Sequence, residues 1–306
     1  MARNAISMAP LAAAQAHLAG EGYWQIAWSR LRKHHLAMGA LFVIFLLILT
    51  AIFAPWIAPS KFEEIDLMNR FASPFRSGHL LGTDDLGHDV LTRLLYAGRV
   101  SLLVGFAAAF SAVALGTLVG VVAGFYGRVV DNILMRLMDL LFAFPAILLA
   151  LSIAAALGPG MKNTILAISV VYLPIFARVA RGAALVVKEL EFIDAARSLG
   201  ASHAYIIARH ILPNATAPVI VQASLALSWA MLTEAALSFL GLGTIPPQPS
   251  WGSMLSESRQ MMELAPWLAI APGLAIMAGV LGFNLLGDGL RDVLDPHLRL
   301  MGKDQG

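Results

Sequence analysis

Six stretches of this chain run without a single charged side chain: Leu36–Ser60, Val100–Gly127, Leu140–Met161, Asn163–Ala177, Ile211–Thr233 and Leu264–Gly287. A helix needs roughly 20 apolar residues to cross the hydrocarbon core of a bilayer, and five of the six runs meet that length. The sixth, Asn163–Ala177, is shorter, but Pro159 and Gly160 start it cleanly and Arg178 can extend its charge back to the interface. In lipid no water satisfies a stray N–H or C=O, so runs this long and continuous fold as helices. The expected fold is an all-α integral membrane protein with six transmembrane helices. A chain of 306 residues with 58% hydrophobic and 13% charged residues, at a mean hydropathy of +0.75, has too little polar surface for any other class.

Charge sets the expected orientation. Cytoplasmic flanks are rich in Lys and Arg, and Arg30, Arg32, Lys33, Arg128, Arg136, Arg178, Arg181, Lys188, Arg197, Arg209 and Arg291 fall on one side if the N-terminus is cytoplasmic. The reading divides the chain into a cytoplasmic tail (1–35), a first membrane helix (36–60), an extracytoplasmic segment (61–97), a core transmembrane domain (98–290) and a cytoplasmic C-terminal tail (291–306). Within the first tail, Tyr23, Trp24, Ile26 and Trp28 among polar residues predict a short interfacial helix over Gly22–Lys33. The first apolar run starts too late and is too long for a cleaved signal peptide. With 21 basic against 19 acidic residues there is no charge excess to argue for nucleic acid, and the absence of cysteine removes disulfides and thiolate chemistry.

Between the fourth and fifth runs lies a polar island, Leu190-Glu-Phe-Ile-Asp-Ala-Ala-Arg-Ser-Leu-Gly200-Ala-Ser-His-Ala-Tyr-Ile-Ile-Ala-Arg-His210-Ile-Leu-Pro-Asn214. Phe192, Ala195, Ala196 and Leu199 give an apolar stripe at helical spacing. Gly200 is placed to end that helix in a left-handed conformation, and Pro213 fits the first turn of the next membrane helix. By polarity alone this is either an amphipathic connector packed on its own bundle or a docking helix. The pattern Asp-Ala-Ala, three residues, Gly, then Leu-Pro resembles the cytoplasmic EAA loop of ABC importer permeases, here spanning 188–214. That resemblance implies a coupling helix between the fourth and fifth membrane helices of a type I importer fold, with Glu191, Asp194, Ala195, Ala196, Leu199, Gly200, Ala201, His203 and Tyr205 as its ATPase-coupling residues. Asp194 stands where the motif usually has Glu, and His210 where the wider superfamily often has Ile. His210 within Arg-His-Ile-Leu-Pro-Asn resembles the peptide and nickel subgroup.

Three further phrases point the same way. Leu81-Gly-Thr-Asp-Asp-Leu-Gly-His-Asp89 resembles the Leu-Gly-Thr-Asp segment of dipeptide, oligopeptide and nickel permeases, with His88 where Arg is common. Its carboxylates suggest either a cation site or, more simply, Asp84 or Asp85 capping a helix over Val90–Tyr96. Leu237-Ser-Phe-Leu-Gly-Leu-Gly-Thr-Ile-Pro-Pro-Gln-Pro-Ser-Trp251 is similar to the loop between the last two helices of that family. There Pro246, Pro247 and Trp251 are candidates for docking a soluble binding protein, Trp251 equally for an interfacial anchor. Asn284-Leu-Leu-Gly-Asp-Gly-Leu-Arg-Asp-Val-Leu-Asp-Pro296 resembles the family's C-terminal ending.

Ionisable residues in apolar helices are costly and are functional candidates by default. Glu234 sits near the outer end of the fifth run, either lining a pathway or structural with its carboxyl reaching the interface. Asp139 opens the third run and is expected to pair with Arg136 on the same helical face. Pro145 and Pro174 are expected to kink their helices. The chain has no Gly-x-x-x-x-Gly-Lys-Ser/Thr phosphate loop, no His-Glu-x-x-His and no Gly-x-Ser-x-Gly, so neither ATP hydrolysis nor another enzyme activity has residues to carry it, and no metal or cofactor site is nominated. The resemblance implies a permease subunit for peptides in the bacterial inner membrane. Its implied partners are a second homologous permease, two ATPase subunits that bind ATP and Mg, a periplasmic or lipid-anchored substrate-binding protein, and membrane lipid. A nickel or glutathione permease of the same family is an alternative. An ion-coupled secondary transporter is another, resting on Asp139 or Glu234.

Overall fold

The computed structural model describes residues 28–294. Nine helices order the described chain: α1 (His35–Ile52), α2 (Val90–Tyr126), α3 (Arg128–Phe142), α4 (Ala146–Leu157), α5 (Met161–Val187), α6 (Glu191–Ser198), α7 (Leu212–Phe239), α8 (Trp251–Ser258) and α9 (Trp267–Leu294), with single turns besides. Among the described residues five helices are long and apolar enough to cross a membrane, and the count is six when the bent pair α3–α4 is taken as one span. Of the expected interfacial helix only the end is described, where Arg32 lies over the Trp28 ring at 5.0 Å. Positions 22–27, and 295–306 of the expected C-terminal tail, lie outside the described residues.

The centre of the bundle is the seam between α2 and α5. Gly116, Gly120 and Gly124 recur every four residues on one face of α2, where a Cβ would come within 2.6 Å of the Leu173 carbonyl oxygen, 2.1 Å of the Ala177 carbonyl oxygen and 2.8 Å of the Ala184 Cβ respectively. Small residues let two backbones meet where lipid offers no hydrophobic drive for helices to associate. Ser169 on α5 donates across the same seam to the Ala108 carbonyl at 3.2 Å. The helices α7 and α9 complete the bundle, and α1 packs on α9.

Several expected boundaries shift for local reasons. The first helix stops at Ile52, not Ser60, because Pro55 has no N–H to continue the ladder, and only one further turn, Ala54–Ile57, follows. The second begins at Val90, so the helix takes in eight residues expected in the extracytoplasmic segment. Its N-cap is Asp89, whose carboxylate accepts from Thr92 N at 2.7 Å, and not Asp84 or Asp85. The fourth spans Met161–Val187 with Pro174 inside it, and the fifth and sixth extend to Phe239 and Leu294.

The third run departs most. The expected kink at Pro145 is a 90° break: α3 ends at Phe142, and α4 restarts at Ala146 with only 12 residues. Proline removes a donor and also bars the residue before it from helical geometry, so two adjacent positions are lost to the helix. The expected Arg136–Asp139 pair does not form. Asp139 meets Arg178 of α5 at 2.8 Å, and Asp131 takes a two-pronged contact from Arg181 at 2.5 and 2.7 Å, because α3 crosses α5 and offers each acid a tertiary partner.

Candidate functional site

The candidate residues gather at two ends of the bundle, joined by α7, whose 28 residues span roughly 42 Å. At one end lie α6 and the loop that follows it. Gly200 has φ +80°, the left-handed conformation expected there, and a Cβ at that position would meet open space. Ser202 then caps a short turn, His203–Ile206, which passes into a π-helical turn over Ile207–Ile211 and on into α7. Pro213 at the start of α7 supplies no N–H, and the Leu212 N–H reaches back five residues to the Ile207 carbonyl, widening the turn.

The stripe Phe192, Ala195, Ala196 and Leu199 divides: Ala196 packs against the bundle and the other three are exposed. Ile193, unmarked in the sequence reading, is the residue of α6 that is wholly buried, and Ile206 and Ile211 join it in the core. Phe192 is 43% exposed and Leu199 88%, with Glu191, Asp194, Ala195, His203 and Tyr205 exposed beside them; Ala196 and Ala201 are half-buried against the core. Asp194 pairs with Arg197 one turn on, at 3.1 Å. Underneath, the end of α2 supports the loop: the Phe125 and Tyr126 rings meet His203 edge-on at 5.3 and 5.7 Å, Arg197 lies over Phe125, and Lys188 donates to the Gly124 carbonyl at 3.1 Å. The result is a short, anchored helix that presents bulky apolar side chains away from its own bundle.

At the other end, Pro246 and Pro247 stand exposed on the loop between α7 and α8. Trp251 does not share that surface. It is 3% exposed, its indole N–H donates to the Leu94 carbonyl at 3.1 Å, and its ring packs over Gly98, which rules out both the docking and the interfacial-anchor roles expected of it. The segment before α2 is fastened to α8 through Arg93, which contacts Asp84 at 2.6 Å and Glu257 at 2.8 Å. Asp84 also accepts from His88 Nδ1 and from the His88 and Leu86 backbone N–H groups, which spends its carboxylate on the chain's own fold. Burial works to raise the Asp84 carboxyl, but Arg93 and His88 outweigh it and hold the group below the usual carboxylate range. Between this segment and the proline loop opens a cavity of about 770 Å³, lined by Glu63, Asp85, His88, Pro246, Glu257 and Gln260 among others.

Two isolated candidates resolve differently. Asp139 is exposed at the α3–α4 break, where Arg178 also covers the Phe142 ring at 4.2 Å and an apolar cavity of about 330 Å³ opens between Phe142, Pro145 and Tyr172. Glu234 does not reach an interface: it is 1% exposed inside α7 and accepts from Ser238 at 2.7 Å. Sequence reasoning missed the serines around it, Ser101, Ser238 and Ser250; only the i, i+4 spacing of Glu234 and Ser238 was there to be seen.

Residues 116–300 match the family described as binding-protein-dependent transport system inner membrane component, and residues 22–74 match the N-terminal transmembrane domain of oligopeptide transport permease C. The chain is 48% identical to the dipeptide transport system permease protein of Alkalihalophilus pseudofirmus over 90% of each chain. It belongs to this family of ABC importer permeases. It is also 44% identical to the glutathione transport system permease protein of Pectobacterium atrosepticum, over 90% of this chain and 92% of that one. In structure it is similar to an inward-facing methionine ABC transporter, with a TM-score of 0.51 and 20% identity across 67% of this chain and 96% of the other. That likeness fixes the fold as the type I importer permease fold. The permease is a multi-pass membrane subunit of a transport system that also needs an ATPase and a substrate-binding protein.

Proposed function

We propose that this permease forms one wall of a peptide pathway across a bacterial inner membrane and moves by alternating access, with its N- and C-termini in the cytoplasm. In this reading α6 is the coupling helix, gripped by one of two ATPase subunits that bind ATP and Mg, while a second permease completes the pathway. The observation that carries it is the division of labour in the loop: Ile193 and Ile206 are buried in the bundle while Phe192 and Leu199 are left exposed. Apolar side chains held out on a rigid support suit a partner that pushes, because the push reaches the core through packed atoms. Closure of the ATPases on ATP moves α6, the movement passes into α5, α7 and the end of α2, and the bundle opens toward a periplasmic or lipid-anchored binding protein docked at Pro246 and Pro247.

A second substrate reading, glutathione, is favoured by the 44% identical glutathione permease and differs only in the peptide carried. One experiment addresses both. The chain is captured through a tag from gently solubilised native membranes, its companions are identified, and the ligand is eluted from the binding protein among them. Two ATPase subunits, a second permease and a peptide-loaded binding protein are the expected result; a chain recovered alone, with uptake that survives ATP depletion, overturns the reading. A ligand identified as glutathione decides for the second substrate.

A further inference from the structure

The loop that carries Pro246 and Pro247 runs from Gly243 to Ser250, and both of its ends lie against one buried carboxyl group, that of Glu234. At the first end a Cβ on Gly243 would stand 1.9 Å from the Ser238 hydroxyl, so the loop leaves α7 pressed against that side chain, and the same hydroxyl donates to Glu234 at 2.7 Å. At the far end Ser250 is fully buried and caps α8, its oxygen accepting from Ser253 N at 3.1 Å. Its hydroxyl lies beside the Glu234 carboxyl. Ser101 of α2 lies beside the same carboxyl, and its oxygen accepts from Trp251 N at 3.1 Å, which again leaves its proton to give.

The inventory of donors and acceptors is what makes this arrangement specific. Ser101 and Ser250 each already accept a backbone N–H, so each has a donor to place, and Ser238 places its own on the same group. Glu234 accepts from Ser238 and brings two oxygens to the cluster, a capacity no hydroxyl or amide side chain of similar size matches. The Glu234 carboxyl group therefore sits where α2, α7 and the cap of α8 meet beneath the loop.

We propose that Glu234 is a positioning residue for partner docking: it fixes both ends of the proline loop and so presents Pro246 and Pro247 to the binding protein in one geometry. This rests on the docking role of that loop proposed above. The work is done through Ser238 and Ser250, not by contact of Glu234 with substrate or partner. A loop already held in its bound shape binds without the cost of ordering it, so loss of the tie weakens docking more than it slows the cycle once docked.

The test is ATP hydrolysis by the assembled complex in lipid nanodiscs, titrated with its binding protein. Glu234→Ala is expected to raise the half-maximal binding-protein concentration about ten-fold while the rate at saturation holds, and Glu234→Gln, which keeps one acceptor oxygen, to fall between it and wild type. If Glu234→Ala does not assemble, Ser250→Ala removes one of the three donors and is expected to move the half-maximal concentration in the same direction. An unchanged half-maximal concentration, or a loss of saturating rate without a shift in it, overturns the inference. A wild-type complex indifferent to the binding protein would instead remove the docking reading, and the inference with it.

Discussion

Gly120 of α2 meets the backbone of Ala177 of α5 so closely that a Cβ would fall 2.1 Å from the Ala177 carbonyl oxygen. No side-chain rotation relieves such a contact, because the obstacle is main chain. Gly120→Ala is therefore expected to cost the bundle about 1–3 kcal/mol through forced separation of the two helices. Gly182, also on α5, has open space around it, and Gly182→Ala should be neutral or slightly stabilising. Thermal denaturation midpoints of the two variants in one detergent check the contrast.

The two kinds of apolar residue on α6 should fail differently. Ile193→Ala empties a wholly buried site and is expected to destabilise by about 2–5 kcal/mol. Leu199→Ser should change stability by no more than about 0.5 kcal/mol yet weaken recovery of the ATPase subunits. Denaturation midpoints and the ATPase content of the purified complex are read side by side, and equal loss of stability in both variants would sink the separation of anchor from knob.

Gly200 is constrained by its backbone alone, since its φ is +80° and nothing crowds it. Gly200→Val, β-branched, should be poorly tolerated there and uncouple ATP hydrolysis from uptake in membrane vesicles. Gly200→Asn, whose side chain tolerates left-handed geometry, should transport at close to the wild-type rate.

The Asp84 carboxyl is held below its ordinary value of 3.8 in the folded chain, so the unfolded state binds its proton more readily. Its contribution to stability is then complete above about that value and is lost as pH falls through the lower folded value. Protection of residues 61–89 from proteolysis should persist from neutral pH to about pH 4 and, through this group, decline only below it. Asp84→Asn should remove that part of the acid dependence. Arg93→Met, which leaves Asp84 buried without its strongest partner, should destabilise the segment by about 3–5 kcal/mol at neutral pH.

The long spans were legible because lipid demands a length of apolar helix, and Val100–Gly127 or Leu264–Gly287 read almost directly from the absence of charge. Their ends were not, since tertiary partners decide how much charge a helix tolerates. Arg93 and Arg99 marked a boundary in the sequence, yet α2 runs through both, with Arg93 matched by Asp84 and Glu257. Asp139 was assigned the neighbour nearest in sequence, Arg136, when the nearest in space was Arg178. In α6 the stripe Phe192, Ala195, Ala196 and Leu199 was legible as a helical period, but not which of its residues the bundle would take. A short helix with apolar residues on more than one face does not reveal from sequence which of them the bundle buries; in the fold it is Ile193.

The break at Pro145 sets a debt in length. The 12 residues of α4 make roughly 18 Å of helix against a hydrocarbon thickness of about 30 Å, and α3 turns away at 90° instead of supplying the rest. Alone in a bilayer, this chain would leave one side of its third crossing short, and the surrounding lipid would have to thin or admit water there. A neighbouring subunit that filled the notch would remove that deformation, and the bilayer itself would then favour assembly, more strongly the thicker it is.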